Sequence, residues 1–140
     1  MYMLKKILYI SLLLLLFSCE KIFINGNLDG MWRLESVDSG SSVVYPDGVF
    51  YSFQRHLVML GIYSEKEHPR NWYMGCFNYE NDEIKMNNFY RYPGSSGVCV
   101  LEELENLYIY DYTVDFKVEH MSENSLLLSS QERTYKFSRW

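Results

Sequence analysis

Three kinds of side chain in this sequence could do chemistry: cysteines, histidines and clustered carboxylates or tyrosines. The cysteines are Cys19, Cys76 and Cys99. The histidines are His56, His68 and His120, and no two stand two or four positions apart. No Cys-x-x-Cys or His-Glu-x-x-His pattern occurs, so a metal site is not expected. Glu102, Glu103 and Glu105 cluster, but on a short helix such carboxylates read as a solvated face. Glycosidic hydrolysis needs two carboxylates at a set separation across a cleft, and nothing in the spacing points to one. Nucleophile-elbow, phosphate-loop and dinucleotide motifs are absent. His56, His120 and Glu119 are the remaining names for a general acid–base cluster. No enzyme activity and no cofactor is expected.

Tyrosine is the residue in excess. The chain has 13 Tyr, 8 Phe and 3 Trp. Tyr108, Tyr110 and Tyr112 alternate, which on a strand would put three rings on one face. That face would suit sugar rings or peptides, or would simply pack a sheet. Cys76 and Cys99 are separated by 22 residues. Bonded, they would tie a long loop to a strand and contribute about 3 kcal/mol. Unbonded, they are a thiol pair, and spacing does not choose between the two.

These groups sit in a chain of 140 residues, enough for one compact domain. Hydrophobic residues make up 48% and charged residues 22%, which excludes both a disordered chain and a multi-span membrane protein. A formal charge of −5 argues against nucleic acid as a partner.

Residues 1–18 read as an export signal. Lys5 and Lys6 precede an apolar run from Ile7 to Phe17, broken only by Ser11. The run is shorter than the ~20 residues that span a bilayer. It ends in Leu16-Phe17-Ser18-Cys19, which resembles the lipobox of bacterial lipoproteins. That resemblance implies cleavage before Cys19, acylation of its thiol, and attachment to the cell envelope, at the outer membrane, with either face open. The processed chain then carries 11 basic and 18 acidic residues, a charge of −7, which is expected to hold the body off anionic lipid. Residues 19–29 are the lipidated cysteine and tether. Ile22, Phe23 and Ile24 are apolar for a tether and are expected to lie on the domain or on the membrane.

Residues 30–140 read as an all-β domain. Trp32, Leu34 and Ser36 alternate with Arg33, Glu35 and Val37. Val49 to Tyr63 reads as one β-rich run, with Gly61 as a bulge or bend. Trp72 to Tyr79 turns at Glu80-Asn81-Asp82 into Glu83–Asn87. Val114, Phe116, Val118 and His120 share a face, which puts His120 inward or at a rim. Turns at Ser122-Glu123-Asn124 and Gln131-Glu132 frame the last two strands. One short helix is expected over Val100–Leu107, and long loops over Ser39–Asp47 and Asn87–Gly97. Seven or eight short strands in successive hairpins suit a small antiparallel barrel, which removes exposed edges.

Two ends of the domain carry a resemblance. Leu28-Asp29-Gly30-Met31-Trp32-Arg33-Leu34 holds a Gly-x-Trp triplet at the start of the first strand, and the closing hairpin runs from Ser125 through Arg139. Together they resemble lipocalin-like domains, especially small lipoproteins of Bacteroidetes. The resemblance implies a barrel closed at its base by Gly30 and Trp32, with Arg139, or failing it Arg133, laid across the indole. It implies a binding or accessory domain, for a small apolar ligand if the barrel is hollow or for an envelope protein if it is filled. The alternative is a structural or inhibitor-like protein whose 87–97 loop, pinned by Cys99, docks to a partner.

Overall fold

A computed structural model describes residues 23–63, 72–92, 97 and 99–140. The export signal, Cys19 and His68 lie outside the described residues. A single 3-10 turn, Gly26–Leu28, leads into the sheet. The strands are β1 (Gly30–Asp38), β2 (Val43–Val44), β3 (Val49–Gln54), β4 (Leu57–Ile62), β5 (Trp72–Glu80), β6 (Glu83–Tyr92), β7 (Val114–Met121), β8 (Ser125–Ser130) and β9 (Arg133–Arg139). One helix, α1 (Leu101–Glu105), falls between β6 and β7.

Every pairing is antiparallel and joins neighbours in sequence, apart from β1 with β3 and β1 with β9. The β1–β9 pairing, from Trp32↔Arg139 to Asp38↔Thr134, closes the ring. The result is an eight-stranded barrel with β2 as a short flap on the end of β1. Turn chemistry sets the hairpins. Asn81 and Asp82 both have positive φ, as do Gln131 and Glu132, the backbone that two-residue hairpin loops of type I′ require.

The run Val49–Tyr63 is not one strand. It folds back at Arg55-His56, with Arg55 in the left-handed region. Both halves are β-rich, so composition hid the turn. Gly61 is not a bend either: it lies opposite Phe50, and a Cβ there would meet the Phe50 ring at 2.8 Å. The expected 87–97 loop is shorter, because β6 continues to Tyr92 against β5. His120 does not face inward. A register shift between Val118 and His120 turns it out to solvent and brings Met121 half under cover.

One continuous core fills the barrel, drawn from all eight ring strands. Trp32, Leu34, Tyr51, Val58, Leu60, Ile84, Met86, Leu104, Ile109 and Leu128 each retain 0% of their accessible surface. A side chain beside a water-sized void would keep some, so these positions have no such void next to them.

Candidate functional site

The base of the barrel is built around Trp32. Its indole Nε1 donates to the Leu28 carbonyl at 2.9 Å, which anchors the 3-10 turn under the ring. Arg139, at the end of β9, lies over the same ring with its guanidinium carbon 3.8 Å from a ring centroid. Its three nitrogens donate to the carbonyls of Glu123, Asp29 and Asn27 at 2.8, 3.0 and 2.8 Å. Partial burial lowers the Arg139 pKa from its ordinary value, chiefly by desolvation. Gly30 has φ +125°, and a Cβ there would come within 2.5 Å of the Arg139 Nη1. Gly30, Trp32 and Arg139 are thus brought together, and the glycine is what lets the guanidinium approach. Arg133 sits elsewhere, over the Tyr110 ring at 4.1 Å.

The other end is closed by the segment Cys99–Ile109. Leu104 from α1, and Leu107 and Ile109 after it, insert into the core. Two tyrosine hydroxyls from the wall hold the segment. Tyr51 donates to the Leu107 carbonyl at 2.5 Å, and Tyr135 to the Tyr108 carbonyl at 3.0 Å. Burial, reinforced by neighbouring tyrosines, pushes Tyr51 well above its ordinary pKa. Burial likewise pushes Tyr135 up to about 12. Both hydroxyls therefore stay protonated and able to donate at neutral pH. At the rim, Arg91 donates through Nε to the Glu103 carboxylate at 2.7 Å and pairs with it through Nη2. Desolvation works to raise the Glu103 pKa, but hydrogen bonds from Arg91 and the Val100 amide outweigh it and hold it below the ordinary value.

Tyr108, Tyr110 and Tyr112 do not line a strand face, because residues 107–113 form a turn and loop. Tyr108 has φ +64°, Tyr110 stacks under Arg133, and the exposed Tyr112 hydroxyl accepts from the Leu101 amide. Alternation is present, but its buried members are Leu107 and Ile109.

Cys76 and Cys99 are free thiols. Cys76 alternates with the buried Gly75 and Phe77 and so points out of the wall, whereas Cys99 is in the core. Burial pushes the Cys99 thiol up to about 11, and the nearby Glu103 adds to the shift. Of the two sequence alternatives, the structure carries the unbonded pair. His56 and His120 are both exposed, outside the barrel interior. Among the described residues no three His, Cys, Asp or Glu side chains gather as metal ligands.

The sequence did not announce an aromatic cluster on the outer wall. Phe50 points outward yet is only 1% exposed, because Trp72 and Trp140 pack edge-on against it at 5.5 and 5.9 Å. Tyr63 meets Trp140 at 5.7 Å, and Arg33 lies over the Trp140 ring at 4.6 Å. The signal was available in the sequence: Phe50 alternates with Val49 and Tyr51, and Trp140 follows the last strand.

No curated protein matches the chain. Among solved structures it is similar to a lipocalin-like protein from Bacteroides uniformis ATCC 8492, at 22% identity and a TM-score of 0.66, over 82% of this chain and 100% of that one. It is also similar to an uncharacterized protein from Bacteroides eggerthii DSM 20697, at 20% identity and a TM-score of 0.63, over 81% of this chain and 99% of that one. Both likenesses concern the fold. The lipocalin-like domain family matches residues 13–140. With the eight-stranded ring closed by β1 and β9, that match makes this chain a member of the lipocalin-like family.

Proposed function

We propose that the protein is a lipid-anchored, non-enzymatic binding domain of the cell envelope that engages a protein partner through its outer surface. The filled barrel carries this reading. Trp32, Tyr51, Phe53, Phe116, Tyr135 and Phe137 occupy the interior, and the 99–109 segment closes it, so the space a small ligand would need is taken by the chain's own side chains. The anchor at Cys19 is supported by the Leu16-Phe17-Ser18-Cys19 motif after a short apolar run. The non-enzymatic reading is supported by the family.

The test is to express the full chain in a bacterial envelope and compare native with denatured mass spectra. An acylated polypeptide with no further mass lost on denaturation is the expected result, followed by a protein recovered on cross-linking in the membrane. A discrete small molecule released from every copy would overturn the partner reading in favour of a carrier.

A further inference from the structure

The chain enters the barrel at its base, and the entry is clamped. The Asn25 amide and side-chain nitrogen donate to the two Asp29 carboxylate oxygens at 3.1 and 2.7 Å. The same side chain donates to the Arg55 carbonyl, in the turn between β3 and β4, at 2.8 Å. Leu28 is fully buried, and its carbonyl accepts from the Trp32 indole. Arg139 holds the carbonyls of Asn27 and Asp29 from the far end of the sequence. From Asn25 onward the chain is therefore part of the domain and not a linker to it. A constraint applied just before Asn25 acts on the whole barrel.

The two residues before the clamp are large and apolar, and the domain does not bury them. Phe23 and Ile24 are 58% and 54% exposed. The Phe23 carbonyl accepts from the Gly26 amide at 3.4 Å, so the pair opens the turned segment. Ile22 precedes them in the sequence. Of the two places open to this stretch from sequence, the domain covers less than half of the two described side chains.

Chain length says what covers the rest. Phe23 is four residues after Cys19, a reach of at most about 14 Å. Acyl chains on Cys19 keep that residue at the bilayer, so Phe23 and Ile24 cannot stand farther from it than this reach. Aliphatic and aromatic side chains at that depth gain by leaving water for the boundary between headgroups and acyl chains. Charge does not select the contact. The turns around the entry carry both signs, with Glu80, Asp82 and Glu123 beside Arg55.

We propose that Phe23 and Ile24 form a lipid-inserting wedge that extends the acyl anchor and seats the barrel base-down on the membrane. The end closed by Cys99–Ile109 then points away from the lipid, where a protein partner can reach it. The inference rests on the Cys19 anchor of the proposed function.

The test places one tryptophan reporter at each end of the full chain. His56→Trp marks the base, in the turn that Asn25 grips, and Glu102→Trp marks the far end, on the exposed side of α1. Each variant is purified from membranes and reconstituted into phosphatidylcholine vesicles, with and without a phosphatidylcholine brominated along its acyl chains. The emission added by the reporter over the native chain is read, and the mass of the N-terminal peptide is measured on the same sample. Bromine is expected to quench the His56→Trp reporter and to leave the Glu102→Trp reporter unchanged. Phe23→Ser with Ile24→Ser, in the His56→Trp chain, is expected to reduce that quenching severalfold with Cys19 still acylated. Both side chains are exposed, so the pair of serines leaves the core alone. Equal quenching at the two ends, no quenching at the base, or quenching indifferent to the serines overturns the wedge and leaves the anchor standing. A wedge covered by a second copy or another protein would show as an unquenched base and also overturns it. An unacylated Cys19 overturns the anchor and, with it, this inference.

Discussion

Leu104→Ala tests whether the barrel interior is as full as the proposed function requires. Leu104 has 0% exposure and points from α1 into the core. Alanine is the best helix former, so α1 loses no backbone propensity and the change reads packing alone. Deleting a buried leucine down to alanine costs about 3 kcal/mol where the surroundings collapse into the space and about 5 kcal/mol where they do not, the transfer of the lost carbons plus the cavity they leave. Here collapse is opposed on both sides: the Tyr51 hydroxyl fixes the Leu107 carbonyl, and Arg91 fixes Glu103. With a urea slope of about 2 kcal/mol/M for a domain of this size, the midpoint falls by about 2.5 M. Glu102→Ala, on the exposed side of the same helix, is the control and shifts stability by no more than about 0.5 kcal/mol. A loss below about 1 kcal/mol would refute the filled interior and restore the small-ligand carrier.

The closures at the two ends are separately testable. Gly30→Ala puts a Cβ on the Arg139 guanidinium and strains a backbone at φ +125°, so a loss of about 3 kcal/mol is expected, read as a fall in thermal midpoint of about 10 °C or more. Tyr51→Phe leaves the buried Leu107 carbonyl without its donor and costs about 2 kcal/mol in urea unfolding, more than Tyr135→Phe, whose partner carbonyl is only partly buried. Alkali should unfold the domain. An unfolded tyrosine ionises near pH 10, whereas folded Tyr135 does so at about 12 and Tyr51 is raised as well. Between those values the unfolded chain has released protons that the folded chain still binds. The contribution is therefore complete below about pH 10 and lost as pH rises toward about 12. The part of the tyrosinate absorbance at about 295 nm that is lost in Tyr51→Phe and Tyr135→Phe should rise together with the loss of sheet signal over that window, after the exposed tyrosines have ionised. Ionisation of those two in a chain that stays folded would contradict the burial.

Alternation is a local property, and what depended on it was legible. A strand shows period two whatever lies across from it, so β1, β5, β7 and β9 could be read from single stretches such as Val114-Asp115-Phe116-Lys117. Two-residue turns with Asn81-Asp82 or Gln131-Glu132 were legible for the same reason, whereas the Gly30–Trp32–Arg139 base was expected only from the family resemblance, whose residues mark the two ends of the domain. The turn at Arg55-His56 was not, because neither residue is a usual turn former and both flanks are apolar. Nor was the outward swing of His120, which depends on a register shift against β8. Tyr108, Tyr110 and Tyr112 show the limit most clearly. Their spacing says that alternate side chains diverge, but not which set is buried, and the answer came from Tyr51, 56 residues away, holding the Leu107 carbonyl. Whether the barrel is hollow is likewise no property of any segment. It is the volume left after eight strands and one inserted loop have each contributed side chains, and that sum exists only once β9 has closed on β1.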